Sequence, residues 1–182
     1  MRDAKASKNG WRKASASDVN FLRIETKKIG RPDGTTKILE RVRHDGAAVI
    51  VPITASGEVI MLRQYRPAVD AWLYELPAGT IEKGEKPVDC GARELKEETG
   101  FSANEVKEIF SSYSSPGWST EKHYFILARG LTKGKQRLDA DEKIGGEQFT
   151  TRHLQEMIND GRIVDGKTIQ GICFYLQNRS RL

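Results

Sequence analysis

Three carboxylates, Glu94, Glu97 and Glu98, stand at i, i+3 and i+4. On a helix that spacing brings them out on one side, where like charges repel and weaken the helix. Solvent, a nearby cation or a bound metal must offset the repulsion. Close hard oxygens suit Mg²⁺, which takes carboxylate, water and phosphate ligands, although a glutamate-rich helix met alone is most often a solvated face. The preceding loop, Leu76 to Glu85, carries Gly79 and Gly84, which let the backbone turn tightly and approach a ligand. Arg93 stands beside Glu94 and is placed to pair with Glu85, clamping loop to helix.

The elements that would hold these groups follow from periodicity. Val88 to Thr99 reads as a strong helix, with Pro87 at its first position and Gly100 as a left-handed stop. Val88, Ala92, Leu95 and Thr99 recur on one side, an apolar stripe that holds the helix against a sheet. Strands are expected over Phe21–Glu25 and Thr35–His44, as a hairpin about Arg31-Pro32-Asp33-Gly34. Ala47–Ile53 reads as a strand buried on both faces, with Pro52 at an edge or bulge. Further strands are expected at Val59–Tyr65, Trp72–Leu76, Val106–Ser112, His123–Ala128 and Gln148–Thr150. Lys133 to Gly146 reads as a polar loop, and helices as Leu154–Asn159 and Thr168–Gln177. Strands, helix, strands, helices imply a mixed sheet with helices on its faces.

Composition sets bounds on function. A chain of 182 residues fits one domain with a small appendage. No apolar run approaches the ~20 residues that span a bilayer, so no membrane partner is expected. The polar stretch Met1 to Asn20 lacks the apolar core of a secretory signal. Cys90 and Cys173 are too few for a disulfide framework and fit a reducing, cytoplasmic setting. The net charge of +5 invites a nucleic-acid reading, but much of the excess sits in Arg2, Lys5, Lys8, Arg12 and Lys13. No basic stripe with interleaved aromatics accompanies them, so nucleic acid is not the expected partner.

Spacing sharpens the reading of the acidic helix. Gly79, five residues, Glu85, seven residues, then Arg93-Glu94-Leu95-Lys96-Glu97-Glu98-Thr99-Gly100-Phe101 resembles the complete Nudix box. The flanks resemble the ADP-ribose pyrophosphatase group of that superfamily. Ser114-Ser115-Pro116-Gly117-Trp118-Ser119-Thr120-Glu121 is similar to its marker segment, with a proline sixteen positions after Gly100. Gln64-Tyr65-Arg66-Pro67 is similar to the family's Gln-Phe-Arg-Pro.

The resemblance implies an α/β fold, a Nudix α/β/α sandwich with a mixed sheet. It implies a small N-terminal antiparallel β subdomain over residues 1–45 and a hydrolase domain over 46–182. It implies Mg²⁺, with Mn²⁺ as a substitute, held by Glu94, Glu98, Glu97 and the carbonyl of Ala78. Gly79, Glu85, Arg93 and Gly100 would be structural parts of the box. Arg66 would clamp the diphosphate, Glu121 would contact the terminal ribose, and Trp118, Phe21 and Arg43 would line the substrate. Glu142 would orient the attacking water, with Asp141 as alternate and Glu97 as rival base. Relatives exchange their N-terminal strands in a homodimer, which sets the expectation here.

The implied reaction is hydrolysis of the pyrophosphate bond of a nucleoside diphosphate sugar, with ADP-ribose giving AMP and ribose 5-phosphate. A GDP-mannose or broad diphosphate-sugar pyrophosphatase is the alternative on the same box. A non-catalytic ADP-ribose-sensing domain is the alternative from another class. His44, His123 and His153 are scattered and are expected to be structural or exposed.

Overall fold

The computed structural model describes residues 22–134 and 146–182. The chain divides into two compact units, Met1–Arg43 and His44–Leu182. The described part of the first is an antiparallel hairpin, β1 (Arg23–Gly30) and β2 (Thr36–Arg43). Its turn is closed by Gly34 N–H donating to Arg31 C=O at 3.0 Å, and Asp33 accepts from Thr35 N–H at 2.9 Å. The turn lies where Pro-Asp-Gly chemistry places it. Glu25 lies opposite Arg41 in the ladder and bonds it at 2.7 Å, a cross-strand pair of the kind that pins register.

The second unit is built on β3 (Ala47–Pro52), β4 (Val59–Arg66), β5 (Ala71–Glu75), β6 (Ala78–Thr80), α1 (Pro87–Thr99), β7 (Phe101–Tyr113), β8 (Lys122–Lys133), β9 (Glu147–Phe149), α2 (Thr151–Asn159) and α3 (Gly166–Asn178). A four-stranded mixed sheet runs β6-β3-β8-β7, with β3 and β8 parallel and the other pairs antiparallel. Strand β3 and the Phe125–Ala128 stretch of β8 are apolar because both their faces are covered. Val49 and Val51 of β3, with Phe125 and Leu127 of β8, pack against Leu154, Met157, Ile163, Ile172 and Tyr175 of the α2–α3 layer. The alternate residues Ala48, Ile50, Ile126 and Ala128 pack against Cys90 and Leu95 of α1. Strand periodicity of two therefore feeds two cores and makes the α/β/α sandwich.

Local chemistry sets the helix ends. Pro87 opens α1, and Gly100 closes it at φ 74° with its N–H on Lys96 C=O, the left-handed stop that glycine adopts without strain. Thr150 caps α2 by accepting from His153 N–H at 3.2 Å, and Asp165 caps α3 by accepting from Thr168 N–H at 3.0 Å. Pro52 is tolerated because β6 pairs only with Ala47 to Val49. At Pro52 the missing N–H points to the side that β6 no longer covers.

The structure departs from the sequence reading in four places. The strands divide into two sheets in this unit, because β4 leaves β3 and pairs with β5 and β9 in a separate three-stranded sheet. Ala78–Thr80, read as loop, forms β6 against β3, since backbone pairing there needs no apolar pattern. Ala92 is exposed; the buried face of α1 is Cys90, Gly91, Leu95, Glu98 and Thr99. Glycine and glutamate at buried positions hid that face from a hydrophobic count. Strands β7 and β8 also run longer than their apolar cores, continuing the ladder through polar residues as far as Phe101 opposite Lys133.

Candidate active site

Helix α1 and strand β6 meet along the three acidic positions, which form a gradient from interior to solvent. Glu98 is buried at 5% exposure, and its Oε2 accepts from Ala78 N–H at 2.9 Å. Glu94 reaches the next residue: a methyl built on Gly79 would overlap its carboxylate. The absent side chain of Gly79 is thus the space that the carboxylate occupies. Glu97 is the most open, with 46% of its side chain exposed. Arg93 ties the set together. Its Nε donates to Glu85 at 2.9 Å, and its Nη1 to Glu94 at 2.6 Å and Glu97 at 3.1 Å. The sequence placed Arg93 against Glu85; the structure adds the two box glutamates as partners.

Ala78, Gly79 and Thr80 open onto a cleft of about 500 Å³. Arg66, Ser114, Glu121, His123, Asp165, Lys167 and Gln170 also face it. Arg66, at the end of β4, points its fork at Glu75, with Nε and Nη2 each 2.7 Å from a carboxylate oxygen. Lys167 of α3 reaches the same carboxylate at 2.5 Å and Asp165 at 3.0 Å. Glu75 is 2% exposed. Burial opposes its ionisation, yet the Arg66 fork and Lys167 hold its carboxyl below the usual range.

Glu121 lies among Ser114, which donates to it at 2.6 Å, and the imidazoles of His123 at 3.6 Å and His44 at 3.8 Å. The His123 ring beside it, opposed by burial and aided by Ser114 and His44, holds the Glu121 carboxyl down at about 2. Two of the three histidines thus gather at one predicted site residue, although 76 or more positions separate His44 from its neighbours Thr120 and Glu121. Trp118 is 60% exposed in the turn before Glu121. Arg43 bonds Glu25 across the hairpin at 3.5 Å and belongs to the other unit. Cys90 is buried, and burial pushes its thiol up to about 12, which suits an inert packing thiol. Phe21, Asp141 and Glu142 lie outside the described residues.

Sequence reasoning missed Glu75, Lys167, Asp165, Gln170 and the histidine pair. Glu75, Lys167, Gln170 and His44 each have a partner on a distant element, so no local spacing marks them, whereas Asp165 and His123 meet partners two or three positions away. An early signal existed only for Glu75, a charged residue inside an otherwise half-buried strand ending at Leu76-Pro77.

Among the described residues no three His, Cys, Asp or Glu side chains form a ready-made metal cage. The donor chemistry still fits Mg²⁺, which uses one or two carboxylates and completes its shell with water and substrate phosphate. Glu94 and Glu98 bring hard oxygens to adjoining backbone positions, Gly79 and Ala78, on the wall of the cleft.

The acidic pairs make stability depend on pH. Arg93 holds Glu85 down at about 2, and Glu121 is held there by its own neighbours. Both carboxyls have folded values below their ordinary 4.5. Their stabilisation is therefore complete above pH 4.5 and is lost as pH falls from 4.5 toward 2. After solvent screening, the Glu121 cluster contributes about 1–2 kcal/mol of it. Thermal unfolding of Glu121→Gln should fall less between pH 5 and pH 3 than that of the parent. Parallel declines would show that the cluster contributes nothing.

A family model described as "NUDIX domain" matches residues 42–169. The chain is 34% identical over 163 residues to a "Methanol dehydrogenase activator" of Bacillus methanolicus, covering 88% of each chain. It is 35% identical over 153 residues to an "ADP-ribose pyrophosphatase" of Bacillus subtilis (strain 168), covering 83% of this chain and 82% of that one. It is 34% identical over 136 residues to a "GDP-mannose pyrophosphatase" of Yersinia enterocolitica, covering 70% and 71%. Among solved structures, one described as "Crystal structure of ADP compounds hydrolase" superposes with a TM-score of 0.78 at 22% identity, covering 90% and 91% of the two chains. That last likeness bears on the fold.

Proposed function

The chain belongs to the NUDIX family, and from that premise we propose that it hydrolyses the pyrophosphate bond of nucleoside diphosphate sugars, ADP-ribose first among them. The observation that carries this reading is the meeting of Glu94 and Glu98 on Gly79 and Ala78, two residues that line a cleft together with Arg66 and Lys167. Acidic groups for a cation thus adjoin a cleft lined by basic groups for phosphate oxygens, as a dianionic diphosphate requires. The relative named ADP-ribose pyrophosphatase supports the choice of sugar. The relative named GDP-mannose pyrophosphatase supports a broader acceptance as the second reading.

A divalent cation, Mg²⁺ in this proposal with Mn²⁺ as substitute, would be held by Glu94, Glu98 and the Ala78 carbonyl with Glu97 beside them, and would neutralise the diphosphate and polarise phosphorus. Arg66 offers a fixed positive charge to the diphosphate oxygens. Glu121, kept ionised by its neighbours, offers carboxylate oxygens to sugar hydroxyls, and exposed Trp118 offers an aromatic surface beside it. Water attacks one phosphorus, the bridging P–O bond breaks, and the products are a nucleoside monophosphate and a sugar phosphate. Glu142 is the proposed acceptor of the water's proton, with Asp141 and Glu97 as alternates.

Two further parts of the proposal concern context. A homodimer is proposed in which residues 1–45 serve a second copy of the chain, with Arg43 and Phe21 reaching its substrate. The hairpin supports this: Ile24 and Ile38 are 62% and 56% exposed, and a two-stranded sheet is marginal by itself. A cytoplasmic setting is proposed on the two free cysteines; among the described residues no helix is long and apolar enough to cross a membrane.

Hydrolysis of a panel tests the reading: ADP-ribose, GDP-mannose, ADP-glucose, UDP-glucose, NADH and capped RNA, each with Mg²⁺ and with chelator. ADP-ribose should be cleaved fastest, to AMP and ribose 5-phosphate, and chelator should stop it. Equal rates on several diphosphate sugars would favour the broad hydrolase. ADP-ribose bound but never cut would replace the enzyme with a sensor. Light scattering of the same sample should give twice the chain mass; a single-chain mass would rule out the dimer.

A further inference from the structure

Glu75 sits where a carboxylate is costly. It is 2% exposed at the end of β5, and an unpaired charge at such depth is expelled or neutralised. Two cations from separate elements hold it. Arg66 of β4 gives it a two-pronged fork at 2.7 and 2.7 Å, and Lys167 of α3 reaches it at 2.5 Å. The residue after Glu75 is tied to the residue after Lys167 as well, with Leu76 N–H donating to the buried Thr168 hydroxyl at 2.8 Å. The fork uses Arg66 Nε and Nη2, leaving Nη1 without a partner among the described residues on a side chain that is 40% exposed to the cleft.

We propose that Glu75 is a positioning residue of the cleft: it fixes the Arg66 guanidinium so that its open arm meets an anionic phosphate oxygen, and through Lys167 it ties that orientation to α3. The inference deepens the function proposed above and rests on it for the identity of the anion. Two effects of removing the Glu75 charge oppose one another. Arg66 would be less neutralised and attract anions more, but at the mouth of a solvated cleft that gain is screened. Against it, the guanidinium would lose the fork that holds its rotamers. A glutamine in place of Glu75 would also turn an N–H toward one of the two cations. Orientation wins, since a bidentate carboxylate supplies geometry as well as charge.

A double-mutant cycle on anion affinity tests the proposal, with inorganic pyrophosphate and ADP-ribose as probes in calorimetry. Glu75→Gln should weaken both about tenfold, with KM raised more than kcat is lowered wherever turnover is measured. In the Arg66→Ala background the same change should alter affinity less than twofold, because the interaction it served is gone. A full additional loss in that background, an unchanged affinity, or a gain in affinity would each overturn the proposal. Circular dichroism and a cooperative melt report folding. Should Glu75→Gln not fold, Glu75→Asp carries the same cycle, since it keeps the charge and is too short for the fork. Parent protein that binds pyrophosphate and cuts nothing would defeat the hydrolase reading and leave the cycle valid; parent protein that binds neither probe would overturn this proposal.

Discussion

Glu98→Gln should fold as the parent does and lose hydrolysis of nucleoside diphosphate sugars by a factor on the order of 10²–10³, about 3–4 kcal/mol of transition-state stabilisation. The fold is expected to survive because glutamine keeps an oxygen that can accept from Ala78 N–H, as Glu98 does at 2.9 Å. The amide keeps that acceptor and removes the negative charge. Any cation at the site then loses an anionic ligand that is 5% exposed and poorly replaced by water. Rates with saturating Mg²⁺, beside a melting curve, check the result. Full activity with an intact fold would remove Glu98 from the reaction, and activity regained at high Mn²⁺ would locate the defect in metal affinity.

Gly79→Ala should be the second large effect, and it separates activity from stability in the same way. A methyl at Gly79 falls on the Glu94 carboxylate. The obstructing atoms are the far end of a flexible side chain, so the backbone need not move and the melting temperature should change little. Glu94 must swing away, and turnover should fall about 100-fold or more. A large loss of stability with turnover per folded molecule unchanged would mean that the loop, not the carboxylate, depends on this glycine.

The acidic helix was legible before the fold was known because the box is local. Glu94, Glu97 and Glu98 carry their geometry in their spacing, and Gly100 announces its left-handed stop. The strands β3 and β8 were legible because burial on both faces writes a continuous apolar run. What spacing could not show is how unequal the three carboxylates are, since the gradient from Glu98 to Glu97 arises from β6, whose three residues have no pattern. Glu75 showed in the sequence only as a charge inside a half-buried strand, because its partners arrive from β4 and from α3, the latter 92 positions along the chain. His44 and His123 look scattered in sequence, yet both approach the same Glu121 oxygen in space. The split of the strands into two sheets depends on where β4 parts from β3, which no residue type signals.

The two central strands feed cores that have no buried residue in common. The layer of α1 carries the box glutamates, whereas Asp165, Lys167 and Gln170 are carried on or beside the helix of the other layer. Substitutions that repack one layer meet the other through the strands between them, β7 included, and changes without shared partners add independently. The architecture is thereby modular in its capacity to vary: the apolar packing under α2 and α3 can drift while the layer that carries the box glutamates stays as it is.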